Sequence, residues 1–259
     1  MYHGIVENYL VEFENIDLID LTSICTKFPR QFDNENLECV HGIGHGLYKI
    51  FDKDIFVASE KCKDSFTAIW EFERCSGGVF MENMMMQREL GFPDFNENDP
   101  HYPCNSVSQE FLRACYAHQS FYIILQQPNT SATKSFESCD EIPKENRKYC
   151  YRGVGNHITG NNLDDINRIV ELCKLGDEEF HSECIKSAAY VSVDLRGIQR
   201  GFDVCKISPD YTKEKCYDTM GKLIKTIHGS ENDIEEQCSK AENSKYSDIC
   251  LNATLDTYF

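Results

Sequence analysis

Apolar side chains along this chain recur every three or four residues. Beyond Asp210, the residues Cys216, Met220, Leu223, Ile224 and Ile227 form a stripe at the spacing of one helical face. Ser208-Pro209-Asp210 supplies an N-cap, a proline at the first helical position and an acid in the first turn. A helix is therefore predicted to start there and to stop near Gly229. Ser230 then caps a shorter helix that carries Ile234 and ends near Cys238. Ile142-Pro143-Lys144-Glu145 and Gly176-Asp177-Glu178-Glu179 open further helices by the same devices. Alternation with period two, the mark of a half-buried strand, is not sustained anywhere, so the expected fold class is all-α.

The 14 cysteines punctuate this pattern. Short gaps of 10 to 13 residues alternate with long gaps of 20 to 28, which marks seven units. The second cysteines of the pairs lie 32 to 40 residues apart, a period of about 35 that belongs to helix-turn-helix arrays. Because each unit must close in the same way, sequential pairing is expected: Cys25 with Cys39, Cys62 with Cys75, Cys104 with Cys115, Cys139 with Cys150, Cys173 with Cys184, Cys205 with Cys216 and Cys238 with Cys250. Each staple joins the end of a short helix to the middle of the next long one. A loop of a dozen residues closed this way restricts the unfolded chain by about 3 kcal/mol. Zinc sites need thiolates two to four residues apart, and none are so spaced. The other reading of the cysteines is a set of reduced thiols acting as small apolar core residues. Three residues past each second cysteine stand Gly42, Gly78, His118, Gly153, Ser187, Thr219 and Ala253. Six of these seven are small, as a column for close helix packing requires.

In period and staple the chain resembles the cysteine-rich αα-hairpin repeat proteins of the Sel1 and tetratricopeptide type. The expected architecture is an α-solenoid, or a closed αα array, of about seven disulfide-stapled hairpins in a single helical-repeat domain over 1–259. The resemblance implies an extended concave face that binds a protein or peptide. Regular disulfides place such a protein in an oxidising compartment: extracellular, periplasmic or at the cell surface. Tyr2-His3-Gly4 matches Val40-His41-Gly42, with Met1 where a staple cysteine would stand. Without the charged, apolar and small-residue run of a signal peptide, the chain is expected to begin inside a repeat of a longer exported protein or to be a mature form. The rival is an intracellular protein of a hyperthermophile. Asn129-Thr130-Ser131 and Asn252-Ala253-Thr254 have the form of glycosylation acceptors.

Charge narrows the partners. With 26 basic against 43 acidic residues, the net charge of −17 repels nucleic acid, and no basic cluster interleaved with aromatics compensates. At 41% apolar the chain can bury a core, yet no apolar run approaches the roughly 20 residues of a membrane span.

One segment carries candidate chemistry. Cys39-Val40-His41-Gly42-Ile43-Gly44-His45-Gly46 sets two imidazoles four residues apart, hence on one helical face, where they can share a metal. Each glycine costs a helix interior about 1 kcal/mol relative to alanine, so the three glycines require close packing or a close ligand. His3 with Glu7, Gly78 with Glu82, His118, and Arg152 with His157 fall in the same register of neighbouring long helices. His3, Glu82, His118 or His157 is the expected third ligand beside His41 and His45, for zinc, copper or iron. Met81, Met84, Met85 and Met86 suit copper, or else fill the core, which is the preferred reading. Trp70 is expected in the core, and the segment 91–103 as an insertion loop. The motifs of zinc proteases, serine hydrolases and phosphate-binding loops are missing, so no catalytic residue is assigned and the balance leans away from an enzyme. Two functions remain open: an exported helical-repeat interaction module, or a metalloprotein centred on His41 and His45.

Overall fold

The computed structural model describes residues 2–12, 20–26, 35–90, 99, 101–125, 132–227 and 230–254. Among the described residues the elements are helical, and no strand occurs. The first helices are α1 (Tyr2–Val11), α2 (Leu21–Thr26), α3 (Glu35–Ile50), α4 (Ile55–Ser65), α5 (Ile69–Leu90) and α6 (Leu112–Leu125). They are followed by α7 (Ala132–Cys139), α8 (Lys144–Asn161), α9 (Ile166–Cys173), α10 (His181–Arg196) and α11 (Ile198–Ile207). The last are α12 (Asp210–Ile227), α13 (Glu231–Cys238) and α14 (Ser244–Asn252).

Local chemistry accounts for the boundaries. Asp54, Asp165, Ser230 and Asn243 each accept hydrogen bonds from backbone amides at the start of α4, α9, α13 and α14. Asp177 accepts from the Glu179 amide and opens a short 3₁₀ turn, Glu178–Phe180, that runs into α10. Ser208 departs from expectation. It caps the C-terminus of α11, and its hydroxyl donates to the Val204 carbonyl at 2.7 Å, in the direction opposite to the helix it was expected to start. The α12 helix ends at Ile227, and Gly229 lies outside the described residues.

All seven expected disulfides form, each between consecutive cysteines, with Cα atoms 5.5 to 5.7 Å apart. Reduced thiols are thereby excluded. Cys139, Cys173 and Cys238 are the last residues of α7, α9 and α13, and each bonds into the helix that follows. These pairs point to an oxidising, extracellular-type environment.

The helices group into two compact units, residues 1–122 and residues 123–259. In the first, α3 packs on both α1 and α5. In the second, α8, α10, α12 and α14 pack each on the next, with α11 beside α10. Three of these crossings share one register. Gly44, Gly155 and Gly221 each stand five residues past a second cysteine, and each lies against the backbone carbonyl of the next second cysteine, Cys75, Cys184 or Cys250. A β-carbon at Gly155 would stand 2.7 Å from the Cys184 oxygen and 3.0 Å from Cβ of Ser187. At Gly221 it would stand 2.7 Å from Cβ of Ala253. Gly78, Ser187 and Ala253 belong to the small column seen in the sequence, so that column is one half of the contact and the glycine five residues past the cysteine is the other.

Trp70 is half-buried at the start of α5, outside the core where it was expected. Met84 is buried and Met85 exposed, while the side chain of Met86 lies outside the described residues. So do Met1, Asn129-Thr130-Ser131 and most of the segment 91–103.

Candidate metal centre in the first unit

Residues four apart on a helix share a face, so α3 presents His41, His45 and Lys49 along one edge. The glycines between them are explained by packing: Gly44 meets the backbone of α5 at Cys75 and Gly78, and Gly46 meets Leu10 of α1. With no β-carbons in the way, α1 and α5 close on α3 from both sides. Their acidic side chains reach the histidine edge.

Glu7 comes from α1 and Glu82 from α5. His45 Nδ1 lies 2.6 Å from Glu82 Oε2, with both residues buried. Lys49 Nζ donates to Glu7 Oε1 and stands 3.2 Å from Glu82 Oε1, so its ammonium bridges the two carboxylates. One ligand atom from each of Glu7, His45 and Glu82 falls within 4.8 Å of the others. Burial alone would raise the Glu82 carboxyl, but hydrogen bonding and charge from His45 and Lys49 outweigh it and hold the group below its usual range. Burial likewise opposes the charge on Lys49, and Glu7 and Glu82 reverse the effect, raising it above its usual value.

His41, on the same edge, meets other atoms of α5. Its Nδ1 lies 3.2 Å from the Arg74 carbonyl oxygen and its Nε2 lies 3.3 Å from Met81 Sδ, both on α5. Its ring meets that of His45 edge-on at 4.9 Å and that of His118, on α6, at 6.1 Å. Gly77 leaves room between these rings, since a β-carbon there would stand 3.5 Å from His118 Nε2 and 3.6 Å from His41 Nδ1. Desolvation, aided by the neighbouring charges of His45 and Arg74, keeps both imidazoles neutral: His41 falls well below 6.5 and His118 falls to about 3.

The expected ligands thus separate. His45 and Glu82 come together, joined by Glu7, which sequence reading placed in register without assigning it a role. His41 and His118 form a second group beside them. His157 belongs to the second unit, where its Nε2 accepts from Asn161 Nδ2 at 2.8 Å. His3 is on α1, and its side chain lies outside the described residues. Lys49 was missed in the sequence, although its place four residues past His45 on the same face was a readable signal.

The second unit repeats the register with other chemistry. Arg152 stands two residues past its cysteine, as His41 does, and its Nε donates to Glu183 Oε2 at 2.6 Å, with Lys186 Nζ 3.2 Å from the same oxygen. Where the first unit places imidazoles, the second places a half-buried ion triad. No family model matches this chain, and neither does any curated protein or solved structure.

Proposed function

We propose that this is an exported helical-repeat protein, an α-solenoid stapled once per unit, whose first unit holds a divalent metal through Glu7, His45 and Glu82. The observation that carries the reading is the convergence of these three ligand atoms, from three helices, within 4.8 Å. One imidazole and two carboxylates suit zinc or ferrous iron. Loading must expel the Lys49 ammonium and draw the ligands to about 2.0 to 2.2 Å from the ion. Lys49 thus stands in for the cation until the metal arrives. The disulfide framework favours an extracellular, periplasmic or cell-surface location. The test is metal analysis of protein purified without chelator or histidine tag, followed by zinc titration. One equivalent is expected, with Glu82→Gln and Glu7→Gln each weakening binding at least tenfold. No bound metal and no saturable zinc binding would overturn the proposal.

A second reading, an interaction module with a concave face for a protein or peptide, is favoured by Lys49 itself. Its ammonium already bridges the two carboxylates, so the cluster also ties α1, α3 and α5 together as a structural knot. That reading expects a protein whose melting temperature responds neither to zinc nor to chelator.

A further inference from the structure

Tyr211 and His181, in the second unit, take no part in the metal cluster. Tyr211 is the second residue of α12 and His181 the first of α10. The Gly176 carbonyl oxygen stands 2.8 Å from His181 Nε2, and a carbonyl can only accept. The neutral imidazole therefore carries its proton on Nε2, and the lone pair of Nδ1 accepts from the Tyr211 hydroxyl at 2.8 Å. The carbonyl that sets this tautomer is itself clamped. On the other side of the same peptide unit the Asp177 amide donates to the buried Tyr151 hydroxyl at 2.9 Å, and a β-carbon at Gly176 would stand 2.6 Å from the Tyr151 ring. A hydroxyl, a base within hydrogen-bond reach and a third group that orients the base are the three parts of an activated nucleophile. Burial is divided to match: His181 is buried, whereas Tyr211 is 55% exposed and can be approached from solvent. The phenol does not ionise unaided, because burial of its inner edge and the charge of Glu178 push it above its usual value, against a smaller opposing effect of Lys174. A base must take the proton as the oxygen attacks.

We propose that Tyr211 is a covalent acceptor site for acyl groups, a nucleophile for which His181 is the general base. Tyr211 Oη forms a bond to the carbonyl carbon of an activated ester while the phenolic proton passes to His181 Nδ1. The bond from that carbon to the leaving oxygen then breaks, and the leaving group departs with the proton that His181 returns. The product is an aryl ester on Tyr211, and nothing is oxidised or reduced. Charge selects the donor. Glu178 acts on the phenol and the chain carries a net charge of −17, so anionic phosphoryl and sulfuryl donors are repelled and a neutral acyl donor is favoured.

The experiment uses p-nitrophenyl acetate with the oxidised full chain. All fourteen cysteines are paired, so no thiol competes for the acetyl group. Peptide mapping is expected to find acetyl on Tyr211, formed at least about tenfold faster than on N-acetyltyrosinamide under the same conditions and more slowly in heavy water, as proton transfer to a base requires. Lysines acetylated in the same sample are the internal reference. His181→Gln keeps an N–H for the Gly176 carbonyl but offers no base, and is expected to slow acetylation of Tyr211 at least about tenfold while leaving the lysines unchanged. Acetylation of Tyr211 no faster than that of the reference tyrosine, a rate indifferent to heavy water, or a rate unchanged in His181→Gln would each overturn the proposal. The wild-type rate and its isotope effect decide the matter alone if the variant does not fold.

Discussion

Gly44 of α3 lies so close to Cys75 of α5 that any β-carbon at position 44 would overlap the Cys75 carbonyl oxygen. The obstacle is backbone, held in place by the disulfide from Cys75 to Cys62, and it cannot turn aside as a side chain can. Gly44→Ala is therefore expected to destabilise the first unit by about 3 kcal/mol, at the upper end of overpacking costs. Gly160→Ala, in α8 with nothing within 4 Å of the added carbon, should instead stabilise by about 0.5 to 1 kcal/mol. Urea unfolding of the two variants measures the contrast. Equal effects would mean that the crossing is looser than described.

Peptide mapping without reduction is expected to recover Cys173 linked to Cys184 and Cys205 linked to Cys216, with no titratable thiol. Replacing Cys238 and Cys250 together by alanine should cost about 3 kcal/mol, the loop-closure value for a ring of this size.

Acid should weaken the second unit through Glu183. Burial alone would raise this carboxyl, but Arg152 and Lys186 hold it down to about 2, against a usual value of 4.5. Between those values the unfolded chain binds a proton that the folded chain does not. The stabilisation is complete above pH 4.5 and is lost as pH falls toward 2, a loss of about 3 kcal/mol at about 1.4 kcal/mol per pH unit. Glu183→Gln should flatten this part of the stability profile. At neutral pH it should cost about 3 kcal/mol, because Arg152 and Lys186 lose the carboxylate charge between them. Denaturation midpoints at pH 6, 4 and 3 provide the check.

Lys49 competes with any divalent ion for Glu7 and Glu82. Lys49→Met, which keeps much of the apolar stem, is expected to tighten zinc binding at least tenfold and to lower the stability of the metal-free protein. Weaker zinc binding in that variant would show that the lysine holds the carboxylates in place for the ion.

The staples and helices were legible in the sequence because they depend on short-range signals. Ser230 and Asp177 cap as their residue types dictate, and a cysteine a dozen residues from another has few ways to close in a repeated unit. Ser208 misled because its hydroxyl had two helices within reach and took the carbonyl behind it. The histidine pair was legible as a shared face but not in its partners. His41 and His45 lie on the same edge of α3, yet one turn of helix is enough to aim one at Met81 and the other at Glu82. That division is set by how far α5 slides along α3, which depends on the Gly44 and Gly78 contact between two backbones. No residue-by-residue pattern in a single sequence encodes that displacement.

The seven staples have a consequence for biosynthesis. Every disulfide closes before the next begins, so the oxidised chain is a string of small separate rings with no crossed or nested bonds. As the polypeptide emerges into an oxidising compartment, the second cysteine of each pair finds its correct partner in the residues that have just preceded it, with every earlier cysteine already joined. The order of synthesis is then the order of oxidation, and an oxidant that simply joins neighbouring cysteines as they appear makes the native set. Correct pairing does not have to await the rest of the chain or be recovered by reshuffling.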